Sequence, residues 1–257
     1  MKKQFEHCID KNLIPTCNIM GVKIAAINMN WLLDFTKRYA SELSGDYICV
    51  SNVHTTVTAY DDSRYREVQN GGILAIPDGG PLSSIGRKRG FHAMERTAGP
   101  SYMEAVLQQS NENAWSHYFY GGTEETLKKL SDVLKTRYPN VKIAGMYSPP
   151  FRPLTKEEDV RIIAEINEAK PDFVWVGLGA PKQENWMADH QGSVEGLMVG
   201  VGAAFDYMAG NIQRAPQWMQ KSNLEWLYRL MQDPKRLFKR YFYTNMKFIW
   251  HACIRGK

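Results

Sequence analysis

Four short segments of this chain set polar side chains after apolar runs that read as β-strands, and two of them hem those side chains with glycine and proline. Open parallel sheets bind ligands at such exits, beyond the carboxyl ends of their strands. In Pro77-Asp78-Gly79-Gly80-Pro81 a lone carboxylate is hemmed by residues that let backbone approach a ligand and fix the loop's shape. Asp78, with Gly79 beside it, is thus a candidate general base for a hydroxyl group; an ordinary Asp-Gly turn is the competing reading. In Gly177-Leu178-Gly179-Ala180-Pro181-Lys182-Gln183-Glu184, Gly177 and Gly179 leave a strand and Pro181 enters a helix. That pattern exposes backbone N–H groups at a helix N-terminus, a seat for phosphate. Lys182 would add charge, and Gln183 and Glu184 would bind sugar or ribose hydroxyls.

The other two exits carry less. Ser51-Asn52-Val53-His54-Thr55-Thr56 places the Asn52 amide at a strand end, with Ser51 or Thr55 available to cap the next helix; a capping role alone is an equal reading. In Phe205-Asp206-Tyr207, Asp206 either accepts from a ribose or base edge or pairs with Arg214. No Asp-x-Asp pair of the kind that holds Mg²⁺ against a diphosphate occurs, and the histidines show no metal-ligand spacing, so no metal and no cofactor is expected. A departing diphosphate would then rely on guanidinium groups, from a pool of Arg96, Arg214, Arg229, Arg236 and Arg240.

The elements that must position these groups follow from hydrophobic patterning. Apolar runs at 47–51, 72–76, 117–120, 142–145, 173–176 and 197–201 lack polar alternation, as strands covered on both faces do. Helical patterns lie between them at 30–43, 55–69, 101–110, 123–138 and 156–169, the last opened by a Thr155/Glu158 capping box. The alternation predicts an α/β fold, a mostly parallel sheet with helices on both faces. Two helices, 217–232 and 235–254, then close the chain. The expected division is a sheet domain at 1–212 and a helical appendage at 213–257.

Charge follows the same division. From Tyr207 onward ten Lys and Arg stand against two acidic residues, whereas the first 206 residues hold 22 basic and 25 acidic side chains. The last helix mixes this charge with Phe238, Tyr241, Phe242, Tyr243, Phe248 and Trp250. Such a helix suits the headgroup boundary of an anionic bilayer, or packs its aromatics onto the body. The amino-terminal residues lack the apolar core of a secretory signal, no run approaches membrane-spanning length, and four scattered cysteines suggest reduced thiols in a cytosol.

Taken in order, the segments Ser51-Asn52-Val53-His54, Ile76-Pro77-Asp78-Gly79-Gly80, Arg96-Thr97-Ala98-Gly99, 177–184, 204–210, Arg214-Ala215-Pro216 and Leu224-Glu225-Trp226-Leu227-Tyr228-Arg229-Leu230 resemble the WecG/TagA/CpsF glycosyltransferase family, over roughly residues 18–241. The resemblance implies a Rossmann-like fold and an inverting, metal-independent transferase. Its donor would be a UDP-sugar and its acceptor a polyprenyl-diphosphate-linked saccharide, in capsule, exopolysaccharide or teichoic acid synthesis. It implies the base role for Asp78, places Asn52, Arg96 and Gln183 around the donor, and assigns Arg229, Arg236 and Arg240 of a membrane-associating appendage to the diphosphate. The expected location is cytoplasmic, peripheral on the inner face of the cell membrane, with no nucleic acid partner and a homo-oligomer left open. Val50 departs from the threonine many members carry there, and 86–95 is unusually basic. Two rivals remain: a nicotinamide-dependent oxidoreductase, which the glycine-free sequence after Val50 disfavours, and a non-catalytic module that binds anionic lipid or nucleic acid through the basic tail.

Overall fold

A computed structural model describes residues 6–256, without the side chains of Lys221, Arg236 and Cys253. The secretory-signal reading at residues 1–5 and the role expected of the Arg236 side chain therefore lie outside the described residues. The strands are β1 (Thr16–Ile19), β2 (Val22–Ala25), β3 (Tyr47–Ser51), β4 (Leu74–Pro77), β5 (Ser116–Gly121), β6 (Lys142–Tyr147), β7 (Phe173–Gly177) and β8 (Leu197–Gly200). The helices are α1 (Met29–Tyr39), α2 (Val53–Asp61), α3 (Ser63–Gly71), α4 (Gly80–Lys88), α5 (Gly99–Asn113), α6 (Glu124–Arg137), α7 (Lys156–Glu168), α8 (Lys182–Asp189), α9 (Ala204–Met208), α10 (Gln217–Lys221), α11 (Glu225–Gln232) and α12 (Pro234–Phe248), the last running into a π-helical turn at Ile249–Ile254.

β3 to β8 form one parallel sheet in the order β4-β3-β8-β7-β5-β6. The six strands are those the apolar runs predict, and side chains alternate between two cores. Ile48, Val50, Phe119, Phe173, Trp175 and Val199 join one layer, while Tyr47, Cys49, Tyr118, Tyr120, Val174 and Met198 join the other. Burial of both faces is why these strands show no polar alternation. Register brings the exits level: Ser51 pairs with Pro77, Gly121 with Gly177, and Val176 with Gly200.

Three features differ from the sequence reading. β1 and β2 form an antiparallel hairpin through Met20 and Gly21, both at positive φ, and a methionine at such a turn hides its signal. The helix expected at 55–69 is two helices, because Asp62 is extended and its carboxylate caps α3 through the N–H groups of Arg64 at 2.9 Å and Tyr65 at 3.3 Å. The helix expected at 217–232 breaks at Asn223, which sits left-handed at φ 60°. The Thr155/Glu158 capping box is present at the start of α7.

α12 packs on α2, with the Tyr243 hydroxyl donating to Asp61 Oδ2 at 3.2 Å and Lys247 pairing with the same carboxylate. Leu237, Thr244, Phe248 and Ala252 face inward, whereas Phe238, Phe242, Met246 and Trp250 on the opposite face are exposed. Among the described residues no helix is long and apolar enough to cross a membrane.

Candidate active site

A cleft of ≈ 950 Å³ opens at the carboxyl ends of the strands, walled by the loops after β3, β4, β5, β6, β7 and β8 and closed on one side by α11 and α12. Its size suits a nucleotide-sized ligand.

Asp78 is held at its rim by main chain. Its N–H donates to Ser51 O at 2.8 Å, and Thr97 N–H donates to Pro77 O at 2.7 Å, which lays the 96–98 segment against the end of β4. Arg96 Nε donates to the Asp78 carbonyl at 2.8 Å, while its Nη2 lies 3.8 Å from Asp78 Oδ1. Burial pushes the Asp78 carboxyl above the usual carboxylate range, against the pull of Arg96. A raised pKa makes a stronger base, and the side chain keeps 24% of its surface open to the cleft.

Arg96 also ties the appendage to the sheet. Its Nη2 pairs directly with the Glu225 carboxylate at the start of α11, and its Nη1 donates to Gln220 O at 3.4 Å. Arg214 approaches the other Glu225 oxygen at 3.7 Å and donates to Ser101 Oγ at 2.6 Å, so it stands behind Glu225 rather than in the cleft wall. The Asp206–Arg214 pair allowed by sequence does not form. Asp206 Oδ1 instead accepts from Thr126 Oγ1 at 3.2 Å and Asn211 Nδ2 at 3.1 Å, with Asp206 still lining the cleft.

Asn52 is itself the cap of α2, not Ser51 or Thr55. Its Oδ1 accepts from Thr55 N–H at 3.2 Å, and Thr55 Oγ1 accepts from Asn52 N–H at 2.9 Å, a reciprocal capping box. Ser51 is buried and donates to Gln69 Oε1 at 2.6 Å. Next to Asn52, burial and the charge of Arg240 push the His54 imidazole down to about 4.

The loop after β7 carries Gly177, Gly179, Lys182, Gln183 and Glu184 into the cleft wall, with Pro181 behind as the residue capping α8 and the Ala180–Pro181 peptide cis. Gln183 does not present a free amide. Its Oε1 accepts from Gly179 N–H at 3.1 Å and Gly202 N–H at 3.0 Å, and its Nε2 donates to Glu184 Oε1 at 2.8 Å. One buried side chain thereby clasps the exits of β7 and β8. Glu184 is fully buried, and burial raises its carboxyl pKa against the opposing pull of Gln183 and the Tyr65 hydroxyl. Gly177 is needed because a Cβ there would lie 2.7 Å from the Phe205 ring.

The structure thus brings Asp78, Gly79, Asn52, Arg96, Gly177, Gly179, Lys182, Gln183, Glu184, Asp206, Arg229 and Arg240 to one cleft, and leaves Pro181 and Arg214 just behind it. Sequence reasoning passed over Glu225, His54, Tyr207 and the prolyl segment 149–153 after β6. Glu225 had a signal, as one of two acids in an otherwise basic tail. Among the described residues no three His, Cys, Asp or Glu side chains converge as metal ligands.

Comparison with known proteins agrees with this architecture. The model for the "Glycosyl transferase WecG/TagA/CpsF family" matches residues 17–257. The chain is 30% identical, over 87% of its length and 86% of the relative's, to an N-acetylglucosaminyldiphosphoundecaprenol N-acetyl-beta-D-mannosaminyltransferase of Bacillus subtilis. An enzyme of the same description from Staphylococcus aureus is 27% identical over 86% of each chain.

Proposed function

We propose, because the chain belongs to the WecG/TagA/CpsF glycosyl transferase family, that it moves a sugar from a UDP-sugar to a saccharide carried on a polyprenyl diphosphate. The relatives named above act on an N-acetylglucosaminyl-diphospho-undecaprenol acceptor, so the proposed acceptor is a lipid-linked N-acetylglucosamine and the proposed donor sugar an N-acetylhexosamine. The observation that carries this reading is the meeting of Asp78, desolvated at a strand exit, with the appendage guanidiniums of Arg229 and Arg240 in one cleft.

The proposed chemistry is one displacement with inversion. Asp78 removes the proton from the acceptor hydroxyl as its oxygen attacks the anomeric carbon and the bond to the departing UDP breaks. Arg96, Arg229 and Arg240 offset the charge that develops on the diphosphate, so no metal ion is required. Gln183, by accepting from the Gly179 and Gly202 N–H groups, fixes the two loops that border the donor seat. Residues 213–257 act as an appendage that completes this wall. Its exposed Phe238, Phe242, Met246 and Trp250 beside basic side chains support docking on the anionic inner face of the cell membrane.

The test is product analysis by mass spectrometry, with a panel of UDP-sugars, a short-chain lipid-diphosphate N-acetylglucosamine acceptor and EDTA. A single-sugar addition in EDTA is expected. Failure of every UDP-sugar, or activity that returns only with added divalent ion, refutes the reading.

A further inference from the structure

Tyr207 lies on α9, the short helix that leaves β8, with its N–H donating to Ala203 O at 3.0 Å. It lines the cleft, and the Arg229 guanidinium covers its ring at 5.6 Å from the centroid. Its hydroxyl is enclosed yet has no hydrogen-bond partner. Tyrosine hydroxyls nearly always find a partner when enclosed, because leaving one unmade forfeits its hydration without return. A structural role therefore explains the ring, over which Arg229 lies, and leaves the hydroxyl unexplained.

We propose that the Tyr207 hydroxyl is a donor to an anionic diphosphate oxygen bound in this cleft. Arg229 sits over the ring and lines the cleft with Tyr207, so one anionic group bound there can receive both its N–H groups and the phenol O–H. Asp78, Glu225 and Arg229 are the charged groups acting on the phenol, and Asp78 and Arg229 line the same cleft as Tyr207. Burial pushes the phenol up to about 12, with Arg229 opposing. The group thus keeps its proton at neutral pH and can donate but not neutralise. The inference rests on the transferase reading for its substrates, and extends it with a residue to which the sequence analysis gave no role.

The oxygen can belong to the departing nucleotide or to the lipid diphosphate of the acceptor, and Tyr207→Phe distinguishes them. The substitution deletes one unbonded hydroxyl and keeps the ring under Arg229, so the fold and Tm are retained. UDP affinity by calorimetry, acceptor KM and kcat are measured on full-length wild type and variant. An increase of about 10-fold or more in UDP Kd, with kcat down about 10- to 100-fold, assigns the nucleotide. A similar rise in acceptor KM with unchanged UDP Kd assigns the lipid diphosphate. Values all within threefold of wild type, or a change confined to the KM of the UDP-sugar, overturn the proposal. Wild type that transfers no sugar while Tyr207→Phe still weakens UDP binding would instead fault the transferase reading alone.

Discussion

The Asp78→Asn substitution exchanges one carboxylate oxygen for an amide nitrogen of nearly equal size, and its two consequences run in opposite directions. At 3.8 Å from Arg96 Nη2, the carboxylate gains about 4 kcal/mol of attraction at an effective dielectric constant of ~20. Its pKa is nevertheless raised, with burial the largest cause, so the loss of hydration outweighs that attraction. A carboxyl whose folded pKa exceeds its unfolded value binds its proton more tightly in the native state. Above that folded pKa its ionisation costs stability, and the cost is relieved as pH falls. The neutral amide removes the cost at pH 7, while the Arg96 bond to the Asp78 carbonyl is untouched. The expected result is an unchanged or higher Tm together with kcat lower by about 10²–10⁴-fold, equivalent to roughly 3–5 kcal/mol of barrier. UDP release and product formation, assayed beside a thermal melt, give both readings from one preparation. Turnover within threefold of wild type would remove Asp78 from the chemistry, and a Tm several degrees lower would refute the desolvation argument.

Arg96→Ala should lose stability as well as activity, since it strips the nearer of two guanidinium partners from a largely buried Glu225 and leaves Arg214 at 3.7 Å; urea titration should show a loss of about 3 kcal/mol. Gly179→Ala meets no atom within 4 Å but must hold φ +76°, so a cost of roughly 1–2 kcal/mol is expected from backbone strain alone. Gly177→Ala collides with the Phe205 ring and should cost more in the same titration. His117 is fully buried and its imidazole is pushed down to about 3 by burial. It is neutral in both states above its unfolded pKa of ~6.5; below that only the unfolded chain takes up the proton, so stability falls by about 1.4 kcal/mol per pH unit as pH drops toward 3. Denaturant titrations at pH 6.5 and 4.5 check this, and His117→Gln should flatten the slope.

Much of this architecture can be read from local pattern. The six sheet strands announce themselves because continuous apolar runs bounded by turn residues suit a sheet buried on both faces. The Thr155/Glu158 box and the Asp78 loop depend on neighbours within four residues, and both stand where spacing puts them. The breaks at Asp62 and Asn223 escape notice because residues of moderate helix propensity give no strong stop signal. The β1–β2 hairpin escapes because methionine occupies its turn.

The sequence by itself determined which residue types lie at strand exits, and hence that a carboxylate and glycine loops would share one rim. Only the tertiary structure decided what each side chain does there. Gln183 clasps Gly179 and Gly202, Asn52 caps α2, and Glu225 joins Arg96 across 129 residues of chain. The physical reason is that hydrogen-bond partners, burial and charge pairing are set by neighbours in space. A strand's apolar pattern fixes its face to the core locally, but register and packing between distant segments decide which donor meets which acceptor.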